Sequence, residues 1–589
     1  MNTDVESLFK DKVLGHPAGL FVLFFTEMWE RFSYYGMRAL LVLFFTASLL
    51  DDGWGWPQEW AFAIFGTYTS LVYLSTMVGG YFADNVIGIR KAVVIGALLM
   101  TLGHACMAVE TSFFIYSGLA LLVIGSGFFK PNMTSIISEM YKGKEDKKDG
   151  AYTIFYMGVN AGAFLGILLC GYLGEKIGWS WGFGVAGVFM LFGLLQFWYA
   201  QGIFGEIGKQ AKNQNIDVLD EVLDTVNDIS DEAVRNPFTN FQKALIGISS
   251  LLGLLWIFND PISKISEGRY NVFPFEFSGY SGSTIAIIVA FIIFISLLLI
   301  RIPRYTPVLR DRMLAVVFFA FVTIFFWAIF EQSPSSLTVF ARDYTQRTLE
   351  GSSGVIFKIV NSLMTLVPLG IITWVLFLLF RKTFSKYKWS NIFLAVSFLI
   401  IWVIAIGMLL KEFQKDTAEI PASWFSVLNS LYIITLAPLF SKWWESKYNP
   451  NANMKWAIGM ALLGLGMACI AFGASGIEPG AKTASVSIIW LILVYLFHTM
   501  GELCVSPVAL SYVSKLVPGR MIAFMFGVWY LAVAIGMKLA GVFAESSEAI
   551  AKESGISSFF WLLTVVSLGL AVLSAVLYPV IKKLMHGVR

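Results

Sequence analysis

The chain has 589 residues, of which 57% are hydrophobic and 14% are charged, and its mean hydropathy is +0.72. These values exclude a soluble globular protein, because several uncharged stretches reach the length of about 20 residues that a helix needs to cross a bilayer. The net charge of +3 gives no reason to expect a nucleic-acid partner, since the basic residues stand in short loops. The composition predicts an all-α polytopic membrane protein in contact with the lipid bilayer.

Sixteen apolar stretches predict about 16 transmembrane spans. They lie at 20–48, 60–83, 91–109, 112–139, 151–174, 180–203, 242–259, 281–302, 312–340, 354–380, 390–411, 422–444, 455–474, 485–514, 520–544 and 557–583. Residues 1–16 lack the apolar core of a signal peptide, so we expect the first span itself to target the membrane. Alternate loops, such as 142–148 and 381–388, are rich in Lys and Arg, which predicts that both termini are cytoplasmic.

A polar segment at 204–240 separates the first six spans from the others. Acidic residues such as Asp217 and Asp224 alternate there with apolar ones such as Leu219 and Leu223, which is the pattern of an amphipathic helix. We interpret it as a cytoplasmic linker between two halves of the chain, in preference to a regulatory element.

No residue pattern predicts an enzyme. The four cysteines lie in apolar stretches without metal-type spacing, and we expect them to serve packing. No span carries a pair of metal-ligating histidines, a nucleophile with its base, or a cofactor-binding loop. The sequence therefore predicts neither catalytic residues nor a metal or another cofactor.

The first span carries an unusual number of charges, namely Glu27, Glu30, Arg31 and Arg38. Each charge at the membrane centre costs about 2.5–3.5 kcal/mol on insertion scales. At about 100° per residue, these side chains and the nearby Tyr35 fall within roughly 140° of one another. A charged stripe on an otherwise lipid-compatible helix predicts that this face lines an internal pathway.

Other polar residues occur inside later spans in both halves of the chain. They are Tyr73, Lys130, Asn160, Trp327, Glu331, Asn429, Glu502 and Trp529. For each Asn taken alone, helix packing is the favoured interpretation. Charges of both signs spread over several spans instead indicate a central aqueous site.

The distribution of these charges suggests the kind of ligand. Arg38 and Lys130 in the first half suit a carboxylate, whereas Glu502 in the second half suits an ammonium group. A zwitterion could therefore bridge the halves. Four aromatic residues could wall apolar pockets without strict selectivity, and these are Tyr35, Tyr73, Trp327 and Trp529.

Several short motifs follow one another in order along the chain. The first span contains the pattern ExxERFxYYG, from Glu27 to Gly36. Further motifs are GGYFAD at 79–84, KPN at 130–132, YTIFYMGVNAG at 152–162, FEQ at 330–332 and GEL at 501–503. This ordered set covers most of the chain and resembles the proton-dependent oligopeptide transporter family of the major facilitator superfamily, whose first-helix pattern it matches in full.

Two features depart from the family pattern. The eighth-helix motif keeps Asn429 but has Ser426 and Ser430 where the family usually has Gln and Pro. The spans 354–380 and 390–411 are an additional hairpin between the seventh and eighth core helices. The resulting division of the chain is a six-helix bundle at 1–203, a linker at 204–240, an accessory helix pair at 241–302, the seventh core helix at 303–340, the additional hairpin at 341–411, and the remaining core helices at 412–589.

The resemblance implies the major facilitator fold, with two six-helix bundles plus accessory helices, in a bacterial-type inner membrane. It also implies a symporter that imports protons with di- and tripeptides by alternating access and works as a monomer. In that role Arg38 and Lys130 would hold the peptide carboxylate, Glu502 the α-ammonium, and Asn160 and Asn429 the peptide backbone. Proton coupling would involve Glu27, Glu30, Arg31, Lys130 and Glu331.

Two alternative functions remain open from the sequence. The chain could carry another small solute, such as nitrate or an amino-acid-like compound, although Glu502 disfavours a simple anion carrier. It could also be a peptide sensor that does not transport, with 204–240 as the one candidate output element.

Overall fold

A computed structural model describes residues 8–209, 238–516 and 519–588 of the chain. Most of the segment 204–240, for which the sequence predicts an amphipathic helix, lies outside the described residues. The described residues form eighteen α-helices and three short antiparallel ribbons of two strands each.

The helices are α1 Ala18–Thr46, α2 Gln58–Phe82, α3 Ile89–Met107, α4 Ser112–Met140, α5 Glu145–Lys176, α6 Trp179–Ala200, α7 Asn240–Ile265, α8 Gly282–Arg301, α9 Pro307–Phe330, α10 Ser336–Asp343, α11 Gly351–Thr383, α12 Lys388–Phe413, α13 Val427–Glu445, α14 Ala452–Gly473, α15 Ile489–Leu516, α16 Gly519–Ser554, α17 Ile556–Val576 and α18 Tyr578–Leu584. The strand pairs are β1 Lys12–Val13 with β2 His16–Pro17, β3 Glu276–Phe277 with β4 Tyr280–Ser281, and β5 Thr348–Leu349 with β6 Ala418–Glu419.

Within the described residues, fifteen helices are long and apolar enough to cross a membrane. Helix α1 is not among them because it carries four charges, yet its 29 residues are enough to cross a bilayer. Helix α1 and the fifteen other helices together account for the sixteen spans that the sequence predicts. The prediction of an all-α polytopic membrane protein is confirmed.

The helices pack as two bundles with additional helices around them. In the first bundle α1 packs against α5 and α6, while α4 packs against α2 and α3. In the second, α14 packs against α15 and α17, while α9 packs against α16. The two bundles meet along α2 with α16 and along α5 with α13.

The seventh core helix differs from its predicted form as one span over 312–340. Helix α9 ends at Phe330, and turns lead through residues 331–335 to the short helix α10. Pro334 has no N–H to continue a helix, and nearby side chains satisfy the carbonyls that the break releases. Ser335 Oγ donates to the Glu331 carbonyl at 2.9 Å and Thr338 Oγ1 to the Ser333 carbonyl at 2.8 Å. The break places Glu331 at the end of a helix inside the protein.

The additional hairpin, α11 and α12, belongs to the second half of the chain by sequence but packs on the first bundle. Helix α12 lies against α6, and the Phe398 ring is 5.7 Å from that of Phe25 and 5.5 Å from that of Trp29. The linkers on either side of the hairpin pair with each other as β5 and β6.

Glycines bring α1 and α5 into backbone contact. A Cβ atom added at Gly162 would lie 2.2 Å from the Met28 carbonyl oxygen, and one added at Gly166 would lie 2.2 Å from that of Phe32. Small residues allow such close approach of membrane helices. This contact fixes the helix that carries the charged stripe against its neighbour.

We expect Gly166→Ala to lower the free energy of unfolding by about 1–3 kcal/mol, because α1 must move away from α5 to make room for the methyl group. Equilibrium unfolding in mixed detergent micelles measures this change. Gly247→Ala on α7 is the matched control, since its Cβ would meet no atom within 4 Å. Equal stability of the two variants would contradict the close contact.

Candidate functional site

A cavity of about 230 Å³ lies between the two bundles. Helices of both bundles line it, namely α1, α2, α5, α9, α13 and α15. Polar and aromatic residues predicted from the sequence contribute to its wall, and these are Tyr35, Arg38, Tyr73, Asn160, Trp327, Glu331, Asn429 and Glu502. Residues that lie far apart in the chain thus meet at one site.

The two bundles are joined at the cavity by an ion pair between Arg38 on α1 and Glu331 at the end of α9. Arg38 Nη2 lies 2.9 Å from Glu331 Oε2, and Nη1 is 3.4 Å from Oε1. Both residues are buried, with exposed fractions of 8% and 3%. The Arg38 guanidinium also lies 5.2 Å from the centre of the Tyr35 ring. Each charge therefore supplies the compensation that burial of the other requires.

The second carboxylate in the cavity, Glu502 on α15, has a neutral partner. The Asn429 side-chain amide donates to Glu502 Oε2 at 2.9 Å and approaches Thr499 Oγ1 at 3.1 Å. Asn429 lies on α13, so this contact connects two helices of the second bundle. The amide orients the Glu502 carboxylate without neutralising its charge.

The remaining charges of the α1 stripe form a separate group. Arg31 Nε lies 2.7 Å from Glu27 Oε1 and 3.1 Å from Glu30 Oε2. Lys130 Nζ on α4 lies 3.9 Å from the centre of the Tyr34 ring, and no carboxylate of the described residues is within 4.0 Å of it. Lys130 interacts electrostatically with Glu27 and Glu30 without pairing with either, and these two carboxylates share Arg31 as their partner.

Two of the predicted binding residues, Lys130 and Trp529, are not among the residues that line the cavity. Trp529 is buried and packs edge-on against Trp456, with ring centres 5.9 Å apart. Lys130 Nζ lies 5.6 Å from the centre of the ring of Tyr73, which does line the cavity. Spacing along a helix could not decide which neighbour each side chain meets.

The sequence interpretation missed several residues of the cavity wall. They include Tyr156, Ser333, Ser426, Ser430 and Tyr495. Helical periodicity could have found two of them, because Tyr156 lies one turn before Asn160 and Tyr495 lies two turns before Glu502. His498 packs its ring against Phe330, with centres 6.0 Å apart.

The described residues contain no group of three or more His, Cys, Asp or Glu side chains that could hold a metal ion. The polar groups of the cavity are instead suited to a small organic ion with separated charges. Arg38 provides a cation on the first bundle, and Glu502 provides an anion on the second.

We expect Arg38→Ala to lower the free energy of unfolding by about 3–5 kcal/mol, because it leaves Glu331 buried without its countercharge. The double variant Arg38→Ala with Glu331→Ala should be destabilised less than the sum of the single changes. Equilibrium unfolding measures all three. If the two losses of unfolding free energy simply add in the double variant, the pairing is contradicted. The ion pair between Arg310 and Asp311 is the control, and replacing either residue should lower the free energy of unfolding by less than about 1 kcal/mol.

Comparison with known proteins places these features in a family. A sequence profile of the POT family matches residues 90–240 and 396–562. The chain is similar to the peptide transporter YePEPT of Yersinia enterocolitica, with 30% identity over 91% of this chain and 89% of that protein. It is 28% identical to a di-/tripeptide transporter of Lactococcus lactis, over 98% of both chains.

Solved structures agree with this relationship. The crystal structure of a peptide transporter POT in complex with sulfate matches with a TM-score of 0.70 and 28% identity, over 99% of this chain and 100% of that one. A mutant of that transporter in complex with alafosfalin matches with a TM-score of 0.69. The major facilitator fold implied by the sequence motifs is thereby confirmed, and the chain belongs to the POT family as a multi-pass membrane protein.

Proposed function

We propose that the chain is a proton-coupled symporter that imports di- and tripeptides by alternating access. One observation carries this proposal: a cavity between the two bundles has Arg38 on one bundle and Glu502 on the other. The names of the similar proteins, a peptide transporter and a di-/tripeptide transporter, support the same substrate class. Membership of the POT family supports proton coupling.

The cavity suits a zwitterionic peptide. Arg38 binds the peptide carboxylate and Glu502, oriented by Asn429, binds the α-ammonium. Asn160 and the free hydrogen-bonding capacity of Asn429 serve the peptide backbone. The aromatic walls formed by Tyr35, Tyr73 and Trp327 contact peptide side chains of different size, because such surfaces do not demand one shape.

Glu331 is the first candidate for the proton-linked carboxylate. Its ion pair with Arg38 connects the two bundles, so protonation of Glu331 would release Arg38 for the peptide and weaken a contact between the bundles. The inward movement of a proton supplies about 2.3 kcal/mol per 100 mV of membrane potential. Each tenfold of peptide accumulation requires about 1.4 kcal/mol, so one proton can drive useful accumulation.

The group of Glu27, Glu30, Arg31 and Lys130 provides a second coupling element. Lys130 has Tyr34 as its nearest aromatic neighbour in this conformation, and movement of Lys130 toward Glu27 or Glu30 would displace Arg31. Because Lys130 is not among the residues that line the cavity, this coupling role is favoured over direct contact with the peptide. Trp529, which packs against Trp456 and also does not line the cavity, is not assigned a contact with the peptide.

The orientation of the chain follows from its loop charges. The positive-inside rule supports cytoplasmic termini. Helix α1 then runs from the inside to the outside, so that its last residue, Thr46, lies at the outer end of the bundles, which is called here the Thr46 end.

Contacts between the halves are concentrated at the Thr46 end. Arg342 donates to Thr46 Oγ1 at 2.6 Å, and the Glu175 carboxylate accepts from Ala422 N at 2.7 Å and Ser423 N at 2.9 Å. These contacts support a conformation that is closed toward the outside.

One copy of the chain supplies both bundles and every residue that lines the cavity, which supports function as a monomer.

The alternative of an anion carrier is less well supported, because Glu502 places a negative charge in the cavity. The alternative of a non-transporting peptide sensor is decided by a flux measurement.

Uptake of labelled dialanine into proteoliposomes tests the proposal. With the outside acidic relative to the inside, the unaltered protein should accumulate dialanine, and other dipeptides should compete. Glu331→Gln should abolish accumulation while exchange of dialanine across the membrane survives, because the substituted side chain cannot bind and release a proton. Asp311→Asn, which removes a carboxylate from a surface ion pair, is the control and should transport normally.

Normal accumulation by Glu331→Gln would show that another group couples the proton. Binding of dialanine without any flux would instead favour the sensor, and uptake of nitrate without dialanine would favour the anion carrier.

Glu502→Gln should weaken binding of dialanine by roughly 10–100-fold, since a hydrogen bond to a charged group contributes about 1.5–3 kcal/mol. It should change binding of N-acetyl-dialanine, which has no ammonium group, much less. Competition against labelled dialanine measures both effects. Ser430→Ala alters a neighbouring uncharged residue of the wall and is the control. An equal loss for both ligands would remove Glu502 from recognition of the ammonium.

A further inference from the structure

A second set of charges lies outside the cavity, between helices α7 and α16; one member is buried and the other three are partly buried. The set comprises Asp260 and Lys264 on α7 and Lys538 and Glu545 on α16, and is called here the α7–α16 ionic cluster. Lys264 Nζ lies 2.7 Å from Asp260 Oδ1 and also pairs with Glu545, while Lys538 pairs with Asp260. The Lys538 side chain is only 1% exposed and that of Asp260 11%.

The cluster also touches the first bundle through α2. Lys538 Nζ donates to Thr67 Oγ1 at 3.1 Å, and Thr67 Oγ1 donates to the Ile257 carbonyl of α7 at 3.1 Å. Lys264 Nζ lies 3.8 Å from Glu59 at the start of α2. One cluster therefore joins the first bundle, the second bundle and an accessory helix at the Thr46 end.

The contact occurs where the backbones of α2 and α16 cross close to each other. A Cβ atom added at Gly66 of α2 would lie 2.9 Å from the Cα atom of Gly541 on α16. Lys538 lies one helical turn before Gly541, and Thr67 directly follows Gly66. Separation of α2 from α16 at this end would pull Thr67 away from Lys538 and open the crossing to water.

Buried ion pairs are sensitive to such a change in geometry. A buried pair contributes little net stability when intact, but loss of one partner leaves an uncompensated charge that costs several kcal/mol. The charges of Asp260 and Lys264 are held on α7, which packs against α2 and the other accessory helix, α8. Helix α7 can therefore fix where Lys538 and Glu545 lie relative to α2.

We propose that Asp260 and Lys264 are positioning residues for transport: through Lys538 and Glu545 they hold α16 against α2 and stabilise the conformation closed at the Thr46 end. The accessory helix α7 thereby sets the balance between the two alternating conformations. This inference rests on the alternating access of the proposed function but does not depend on which solute is carried.

Distances across the Thr46 end test the inference directly. Spin labels on Thr111 of the first half and Glu553 of the second, both exposed, report the separation by pulsed electron paramagnetic resonance in liposomes. Cys106 and Cys469, which are half-buried, are replaced by Ala in every sample. Asp260→Asn and Lys538→Met should each raise the ratio of long to short distances about tenfold, a change of about 1.4 kcal/mol.

The double variant Asp260→Asn with Lys538→Met should open the Thr46 end no further than the larger single change, because the two residues act through one contact. Glu548→Gln is the matched control. It breaks an ion pair with Lys552 within the same helix α16 and should leave the distances unchanged. If Lys538→Met does not fold, the double variant Asp260→Asn with Glu545→Gln is measured in its place, because Lys264 pairs with both of these carboxylates.

Unchanged distances in the single variants, even with a lowered unfolding temperature, would overturn the inference and assign the cluster a purely structural role. Additive changes in the double variant would overturn it as well. The measurement needs no transported solute. If dialanine uptake fails, the proposal of peptide import is overturned. The distance measurement still decides whether α7 holds the Thr46 end closed.

Discussion

The ion pair between Arg38 and Glu331 is the contact on which the arrangement of the cavity depends. It joins the charged stripe of α1 to the end of α9, and so joins the two bundles inside the membrane. Charges at this depth are tolerated only with a partner or access to water. The break after Phe330 is what brings the Glu331 carboxylate to Arg38, and Pro334 with the hydroxyls of Ser335 and Thr338 makes that break possible.

Charge in the membrane-spanning part is divided into groups that can act separately. Glu27, Glu30 and Arg31 form one group, and Lys130, against the Tyr34 ring, lies outside the set of residues that line the cavity. Arg38, Glu331 and Glu502 face the cavity. The α7–α16 ionic cluster lies at the Thr46 end. A change of protonation in one group can alter the helix contacts of that group without leaving an unpaired charge in lipid. Stepwise coupling of proton, ligand and conformation requires such local changes.

The additional hairpin shows how an insertion can be accommodated in such a protein. Its helices pack on the first bundle, while its linkers form β5 and β6 and contact the second. Gln346 N donates to the carbonyl of Val486, just before α15, at 2.9 Å, and Lys176 of α5 in the first bundle pairs with Glu419 of the other linker. The insertion thus leaves the cavity unobstructed and adds contacts between the halves at the Thr46 end.

The sequence alone determined the membrane class, the number of spans, the family and eight of the residues that line the cavity, including the charged residues Arg38, Glu331 and Glu502. These follow from local patterns: apolar stretches of spanning length, and charges such as Glu27 and Glu502 that have no reason to lie in lipid unless they face a polar site. Only the tertiary structure decided that Asn429 donates to Glu502 and that Lys130 and Trp529 are not among the residues that line the cavity. The sequence interpretation overlooked the α7–α16 ionic cluster, because Asp260, Lys264 and Glu545 lie beyond the predicted ends of their spans and the charge of Lys538, inside the span 520–544, was missed. The physical reason is that periodicity fixes the face of a helix on which a residue stands, whereas the partner across that face depends on how distant helices cross.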